Sequence, residues 1–324
     1  MLVLGFQGSP RRRGNTQVLL SAFMEAARNH GARTEIIEVD RRHILPCKEY
    51  IVCEKRGYCP IEDDMNAIYP LMREAEIVVA ATPVFFYNCT AQLKALIDRS
   101  QTLWARRYKL GLKDPGHATR RGVLLAVGAT KGKSLFEGLH LTARYFFDAL
   151  AARYEGGLTY PGIEHAGDMA KHPTYRDEVA EWVAGLFGHY QGRTPVVFAC
   201  RENACRSQMA AAFAQTLAGD RLDVRCGGSE PAEAVNPKMA QVMAEKGIDM
   251  GFRNPKAISA AIEAGPPPEV IVTMGCGEAC PVVPGAQVID WDLPDPAEGD
   301  LDLMRRIRDE IESRVTAWIG SLDF

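Results

Sequence analysis

No run of apolar residues in this sequence is long enough to span a bilayer, and neither an internal repeat nor a low-complexity tail interrupts it. An excess of one charge sign is missing too. A net charge of -3 excludes a global pull toward nucleic acid or an anionic membrane, although local loops can still gather small anions. The opening MLVLGFQGSPRRRGN lacks the order of a secretory leader: its charges follow the apolar run, and no small-residue cleavage site comes after it. It reads better as a first strand. The cysteines number nine, which does not make the even framework of a secreted disulfide scaffold. The expectation is a cytoplasmic protein whose cysteines serve redox chemistry or metal binding.

What is present points to two α/β domains. A chain of 324 residues, 47% hydrophobic and 24% charged, exceeds one ordinary domain and can bury real cores. Continuous apolar strands at 1–6, 34–39, 77–82, 122–128 and 157–160 alternate with helical patterns at 16–30, 64–75, 90–108, 134–153 and 174–189. That alternation predicts a parallel, doubly wound sheet covered on both faces, in the flavodoxin-like arrangement. GHYQGRTP, 188–195, reads as a short linker, so the predicted domains are 1–190 and 194–324. The second alternation predicts strands at 195–199, 222–226 and 269–274 and helices at 207–218, 236–246 and 300–319.

GSPRRRGNT, 8–16, lies between the first strand and the first helix, where backbone N–H groups and the helix dipole stabilise an anion. Its hydroxyls, amide and arginines suit a phosphate, although an ordinary capped turn would look much the same. TPVFFYN, 82–88, follows the third strand and borders the same switch point of the sheet, where a flat cofactor would lie. Together with GYCPIEDDM (57–65) and LKALIDR (93–99), these stretches resemble the NADPH-dependent FMN reductase and iron–sulfur flavoprotein group over residues 1 to about 160. The resemblance implies FMN and NADPH as cofactors, with Ser9, Arg11, Asn15 and Thr16 at the FMN phosphate. It implies Pro83, Val84, Phe85 and Phe86, together with Gly128-Ala129-Thr130, at the isoalloxazine ring, and a homo-oligomer. Iron–sulfur members carry four cysteines after the second strand; here the run is Cys47, Tyr50, Cys53, Cys59, so a four-thiolate cluster is not expected. A remnant loop of reduced thiols is the expectation, with a zinc set completed by His43 as an alternative. No resident metal is assigned.

CRENACRS, 200–207, sits where a strand hands over to a helix. In a Cys-x5-Arg loop the backbone N–H groups of Asn203, Ala204, Cys205, Arg206 and Ser207 turn inward, and such a nest with the helix dipole activates a thiol and binds a tetrahedral oxyanion. Arg206 can grip two oxygens, Ser207 can hydrogen-bond Cys200, and Asn203 can tie the loop. Chemistry on an oxyanion needs a general acid, and DWDLPDP (290–296) offers Asp295 before a proline, with Asp290 and Asp292 as competitors. VTMGCGEACP (272–281) follows a strand on the same sheet edge; Cys276 and Cys280 could close a disulfide across a tight turn or form half of a metal site.

These motifs resemble the thioredoxin-coupled arsenate reductases built on the low-molecular-weight tyrosine phosphatase fold, over 195–319. The resemblance implies arsenate as substrate, Cys200 as nucleophile, Arg206 as oxyanion ligand, and Asp295 as the acid for the departing hydroxyl. Cys276 and Cys280 would be the relay that ends in a disulfide, and Cys205 a protective partner of Cys200. The predicted function is arsenate reduction to arsenite by a cysteine relay, with the flavin half supplying electrons from NADPH directly or through a thiol such as Cys59 or Cys89. Recycling by a thioredoxin or glutathione system is the other source. The alternative is a tyrosine phosphatase fused to an independent flavin (quinone) reductase, for which Cys276 and Cys280 would have no use.

Overall fold

The structure, a computed structural model, describes residues 1–275 and 283–322. The chain divides into two compact units, Met1–Gly111 with Thr119–His189, and Leu112–Ala118 with Tyr190–Phe324. Among the described residues no helix is long and apolar enough to cross a membrane.

The first unit is a five-stranded parallel sheet in the order β2-β1-β3-β4-β5. Its elements run β1 (Leu2–Gln7), α1 (Asn15–Asn29), β2 (Arg33–Glu38), α2 (Val52–Arg56), α3 (Met65–Glu74), β3 (Ile77–Pro83), α4 (Ala91–Arg99), α5 (Gln101–Tyr108), β4 (Arg121–Gly128), α6 (Glu137–Ala149), β5 (Arg153–Pro161), α7 (Asp168–Lys171) and α8 (Tyr175–Gly188). This is the flavodoxin-like order, and its switch point lies between β1 and β3. Helices on both faces bury the central strands β1, β3 and β4 along nearly their whole length, which is why these read as unbroken apolar runs, whereas the edge strands β2 and β5 are largely half-buried.

Beyond the short helices α2 and α7, which the sequence pattern does not reveal, two predicted elements differ from it. The helix expected over 90–108 is two, hinged at Ser100, whose hydroxyl donates back to the Leu96 carbonyl at 3.1 Å and competes with the helical ladder. The fifth strand runs from Arg153, well before 157, because Gly156 and Gly157 weaken the strand signal where a register shift opposes Gly122 and Leu124.

The second unit is a four-stranded parallel sheet ordered β7-β6-β8-β9, built from β6 (Thr194–Cys200), α9 (Arg206–Ala218), β7 (Leu222–Gly228), α10 (Pro237–Glu245), α11 (Ile258–Glu263), β8 (Val270–Met274), β9 (Gln287–Asp290) and α12 (Leu301–Gly320). β9 and α11 are short and carry no clear period, so the sequence pattern does not reveal them. α9 is buried along most of its length, with Met209 to Ala214 all inside, because it packs between the sheet and α12. Small alanines let these layers approach. Phe198 fills the centre against Trp291 and Trp318, at ring distances of 6.1 and 5.9 Å. Pairs of this kind add about 0.5–1.5 kcal/mol beyond their burial. Lys113, earlier in the chain, joins this unit: its N–H donates to Gly247 O at 2.7 Å and its carbonyl accepts from Asp249 N–H at 2.8 Å.

Candidate functional site

β6 delivers Cys200 to the carboxyl edge of the second sheet, in register with Met274 of β8. Between Cys200 and α9 the chain turns through Asn203 at φ 51°, in the left-handed region that asparagine tolerates better than most side chains. The Asn203 N–H donates to Cys200 Sγ at 3.2 Å and its Nδ2 to Ser207 Oγ at 2.8 Å. Its Oδ1 accepts from Lys256 N–H at 2.9 Å and from Gln208 Nε2 at 3.2 Å. Ser207 Oγ lies 3.0 Å from Cys200 Sγ. That hydroxyl already accepts from Asn203, so its own proton is free to point at the sulfur.

Cys200, Asn203, Arg206 and Ser207 are buried together. Gly228 makes the loop's close approach possible: a Cβ there would stand 2.6 Å from Arg201 O and 2.8 Å from Asn203 N. The structure thus brings Asn203, Arg206 and Ser207 together at Cys200. Gln208, Lys256 and Gly228 were not singled out from sequence, and the Gly227-Gly228 pair at the end of β7 was the signal for the last.

α9 begins without a side-chain cap and with no acid in its first turn, so its open N–H groups and dipole face the loop. Arg206 donates through Nη1 to Leu293 O at 3.1 Å and through Nη2 to Asp295 Oδ2 at 2.7 Å. Asp295 Oδ1 accepts from Ala297 N–H at 3.1 Å. Of the competing aspartates, Asp290 ends β9 and accepts from Thr273 Oγ1 at 2.5 Å, and Asp292 is exposed. Asp295 is therefore the carboxylate that the structure brings to the loop.

Cys205 is buried beside the loop, and burial, with the nearby Cys200, pushes its thiol up to about 12. Burial likewise raises the Cys226 thiol on β7, against the opposing effect of a hydrogen bond with the Asn203 side chain. Cys276 and Cys280 lie outside the described residues. Gly275, the residue before that stretch, has φ 69° and lies against Arg206, where a Cβ would stand 2.8 Å from Nη1.

In the first unit the loops after β1, β3 and β4 meet at one edge. Thr90 Oγ1 donates to Gly8 O at 2.6 Å, joining the first two. Val84 N–H donates to Val127 O at 2.9 Å, joining the second to β4. α1 starts at an uncapped Gly14 with no acid in its first turn, leaving donors free for a phosphate. Ser9 Oγ accepts from Arg11 N–H at 3.2 Å, Thr16 is buried, and the Arg11 side chain is exposed beside them. The donor set and open helix end fit an FMN phosphate. Asn15 also does something else: its Nδ2 donates to His165 O at 2.8 Å, and its Oδ1 accepts from Gly167 N–H at 3.2 Å and Met169 N–H at 3.1 Å. It thereby holds the loop after β5 against the phosphate loop. Pro83 to Phe86 lead into a two-residue turn, Phe86-Tyr87, with both φ values positive and Phe86 wholly exposed.

GYCPIEDDM and LKALIDR meet in a buried ion pair between Asp63 and Arg99, whose side chains are both 0% exposed. Burial, the largest influence, pushes the Asp63 carboxyl up, but Arg99 and the N–H groups of Leu45 and Met65 outweigh it and hold it below the ordinary range. Arg99 also donates to Leu45 O at 2.9 Å and Ile61 O at 3.2 Å. One arginine thus pins both ends of the segment that carries Cys47, Cys53 and Cys59. These thiols line a cavity of about 740 Å³ with Tyr50, Trp104 and Tyr145. Among the described residues no three His, Cys, Asp or Glu side chains are grouped to hold a metal as they stand, and the lining of this cavity supplies three thiols, one fewer than a four-thiolate cluster takes. Cys89 is buried, with its thiol pushed up to about 11 by that burial.

Residues 1–154 match the family NADPH-dependent FMN reductase, and residues 195–323 match low molecular weight phosphotyrosine protein phosphatase. The iron-sulfur flavoprotein of Methanosarcina thermophila is 37% identical over 179 residues, 55% of this chain and 87% of that one. Arsenate reductase 1 of Staphylococcus epidermidis is 35% identical over 124 residues, 37% of this chain and 91% of that one. The glutaredoxin arsenate reductase of Synechocystis is 35% identical over 129 residues, 39% of this chain and 97% of that one. The chain therefore belongs to two families in succession, an NADPH-dependent FMN reductase of the iron–sulfur flavoprotein kind followed by an arsenate reductase of the low-molecular-weight phosphatase fold, and is an oxidoreductase.

Proposed function

We propose that the chain reduces arsenate to arsenite with electrons drawn from NADPH through its own flavin domain, in the cytoplasm and as a homo-oligomer. The observation that carries this reading is the buried Cys200–Ser207–Asn203 constellation facing Arg206 and Asp295. Cys200 Sγ bonds to arsenic held by the loop N–H groups and Arg206, and Asp295 protonates the hydroxyl that leaves as water. Attack by Cys276 on the Cys200 sulfur then leaves the electron pair of the broken sulfur–arsenic bond on arsenic. Arsenite departs, and the Cys200–Cys276 disulfide passes to Cys280. Bound FMN would supply two-electron transfer from NADPH. The N–H groups at the start of α1 and Ser9 would hold its phosphate, and Pro83 to Phe86 its ring. A thiol partner such as glutaredoxin or thioredoxin is the other route of recycling, favoured by the name of the Synechocystis relative.

Purified full-length protein, given NADPH and arsenate but no added thiol, should consume NADPH in step with arsenite release. No arsenate-dependent consumption would sink the internal electron supply. Cys200→Ser should abolish arsenite release while retaining flavin. Retained release would refute the nucleophile, and hydrolysis of an aryl phosphate without arsenate turnover would favour a phosphatase.

A further inference from the structure

The three thiols at Cys47, Cys53 and Cys59 are not used by the reading above, and the cavity that they line belongs to the first unit alone. The segment is built with care at its ends. Arg99 holds Leu45 and Ile61 by their carbonyls and Asp63 by its carboxylate, and Arg106 Nη1 donates to Gly57 O at 2.9 Å. Its middle is strained: Glu49 and Ile51 stand at φ 55° and 62°, and a β-branched residue in the left-handed region is a genuine outlier. Each such residue costs roughly 1–2 kcal/mol, and backbone strain of this kind concentrates at ligand clamps. Tyr50, where a fourth thiol would complete a cluster, is exposed at the rim of the cavity.

We infer that Cys47, Cys53 and Cys59 form a three-thiol site for a trivalent, thiophilic oxyacid, arsenite being the member of that class at hand. The inference rests on the arsenate-reducing reading of the second unit, whose product is that species. Trivalent arsenic takes three sulfur ligands and keeps a lone pair, so it needs no fourth thiolate, unlike a cubane cluster or tetrahedral zinc. The condensation balances without redox: each As–OH and S–H exchange for an As–S bond and one water, so no electron moves and no charge is left in the cavity. Burial, the largest influence, raises the Cys53 thiol, with Cys59 and Cys47 adding to it. The three thiols line one cavity but are not gathered around one point as they stand, so closing them around one atom requires residues 47–53 to shift.

The test uses full-length protein in which Cys200, Cys205, Cys276 and Cys280 are changed to Ser, leaving Cys226 as the one thiol of the second unit. Reduced, gel-filtered protein is titrated with sodium arsenite, and bound arsenic is counted by elemental analysis. A stoichiometric site is expected, with arsenic absorption fine structure reading sulfur ligands only. Cys47→Ser, Cys53→Ser and Cys59→Ser should each weaken binding at least about tenfold. Cys226→Ser should leave it unchanged, and circular dichroism checks that each variant is folded. Loss in only two of the three variants, no retained arsenic, or iron and acid-labile sulfide occupying these thiols in anaerobically purified protein would each overturn the assignment. Because arsenate turnover is measured separately on the wild-type chain, its presence alongside a negative result condemns the thiol site and not the reductase.

Discussion

Asn203 holds the turn at 200–207, and its replacement separates two kinds of contribution. Asn203→Ala removes the three side-chain bonds to Ser207, Gln208 and Lys256, along with the contact to the Cys226 thiol that is left out of the sum, and leaves alanine at φ 51°. At about 1 kcal/mol per bond the hydrogen bonds sum to roughly 3 kcal/mol. The left-handed backbone adds about 1 kcal/mol for alanine over glycine. Asn203→Gly loses the same bonds but not the conformation, so it should cost roughly 3 kcal/mol where alanine costs about 4. Taken wholly from the closed loop, these losses weaken anion binding by up to about 100-fold and 1,000-fold respectively. Binding is read as protection of Cys200 by phosphate against iodoacetamide, followed by peptide mass spectrometry. Alkylation of Cys205 is expected to stay negligible at neutral pH, because burial pushes its thiol up to about 12. Equal protection in all three chains refutes the role assigned to Asn203, and stronger protection in the alanine than in the glycine variant refutes the strain argument.

Two further outcomes concern the first unit. Asp63→Asn leaves Arg99 buried without its counter-ion and should destabilise the unit by about 3–5 kcal/mol, read by thermal unfolding. Because Asp63 is held below its ordinary range, its contribution is complete above the unfolded carboxylate pKa of about 4 and is lost as pH falls further. The wild type should therefore show an acid-dependent drop that the variant lacks, and parallel curves would contradict the pairing. Replacing Phe86-Tyr87 by Asn-Gly should stabilise the turn by about 1–2 kcal/mol, since both positions are left-handed and Asn-Gly is preferred there. The same change should weaken FMN retention in equilibrium dialysis; unchanged retention would remove Phe86 from the flavin site.

The division into two doubly wound sheets is legible in the chain because parallel strands are buried on both faces and read as apolar runs between helices. The turn at 200–207 is legible for a different reason: Cys200, Asn203, Arg206 and Ser207 are close in sequence, so their spacing already encodes their geometry. Asp295 was one of several candidates on DWDLPDP, and only the fold gave it to Arg206 while committing Asp290 to Thr273. Asn15 had a phosphate in view, yet its amide also reaches His165, Gly167 and Met169, partners some 150 residues away that no local pattern can announce.

What the sequence by itself determined is the order of elements and the tight turns at 200–207 and 8–16, since each depends on periodicity or on neighbours within a turn. What only the tertiary structure decided is which distant groups share a charge or a cavity: Arg99 with Asp63 and both ends of the thiol segment, Lys256 with Asn203, and Gly228 with the loop backbone. These pairings are set by how the helices and loops pack over the sheets, where the energy of burying a charge or a close backbone contact is felt only once the chain has closed.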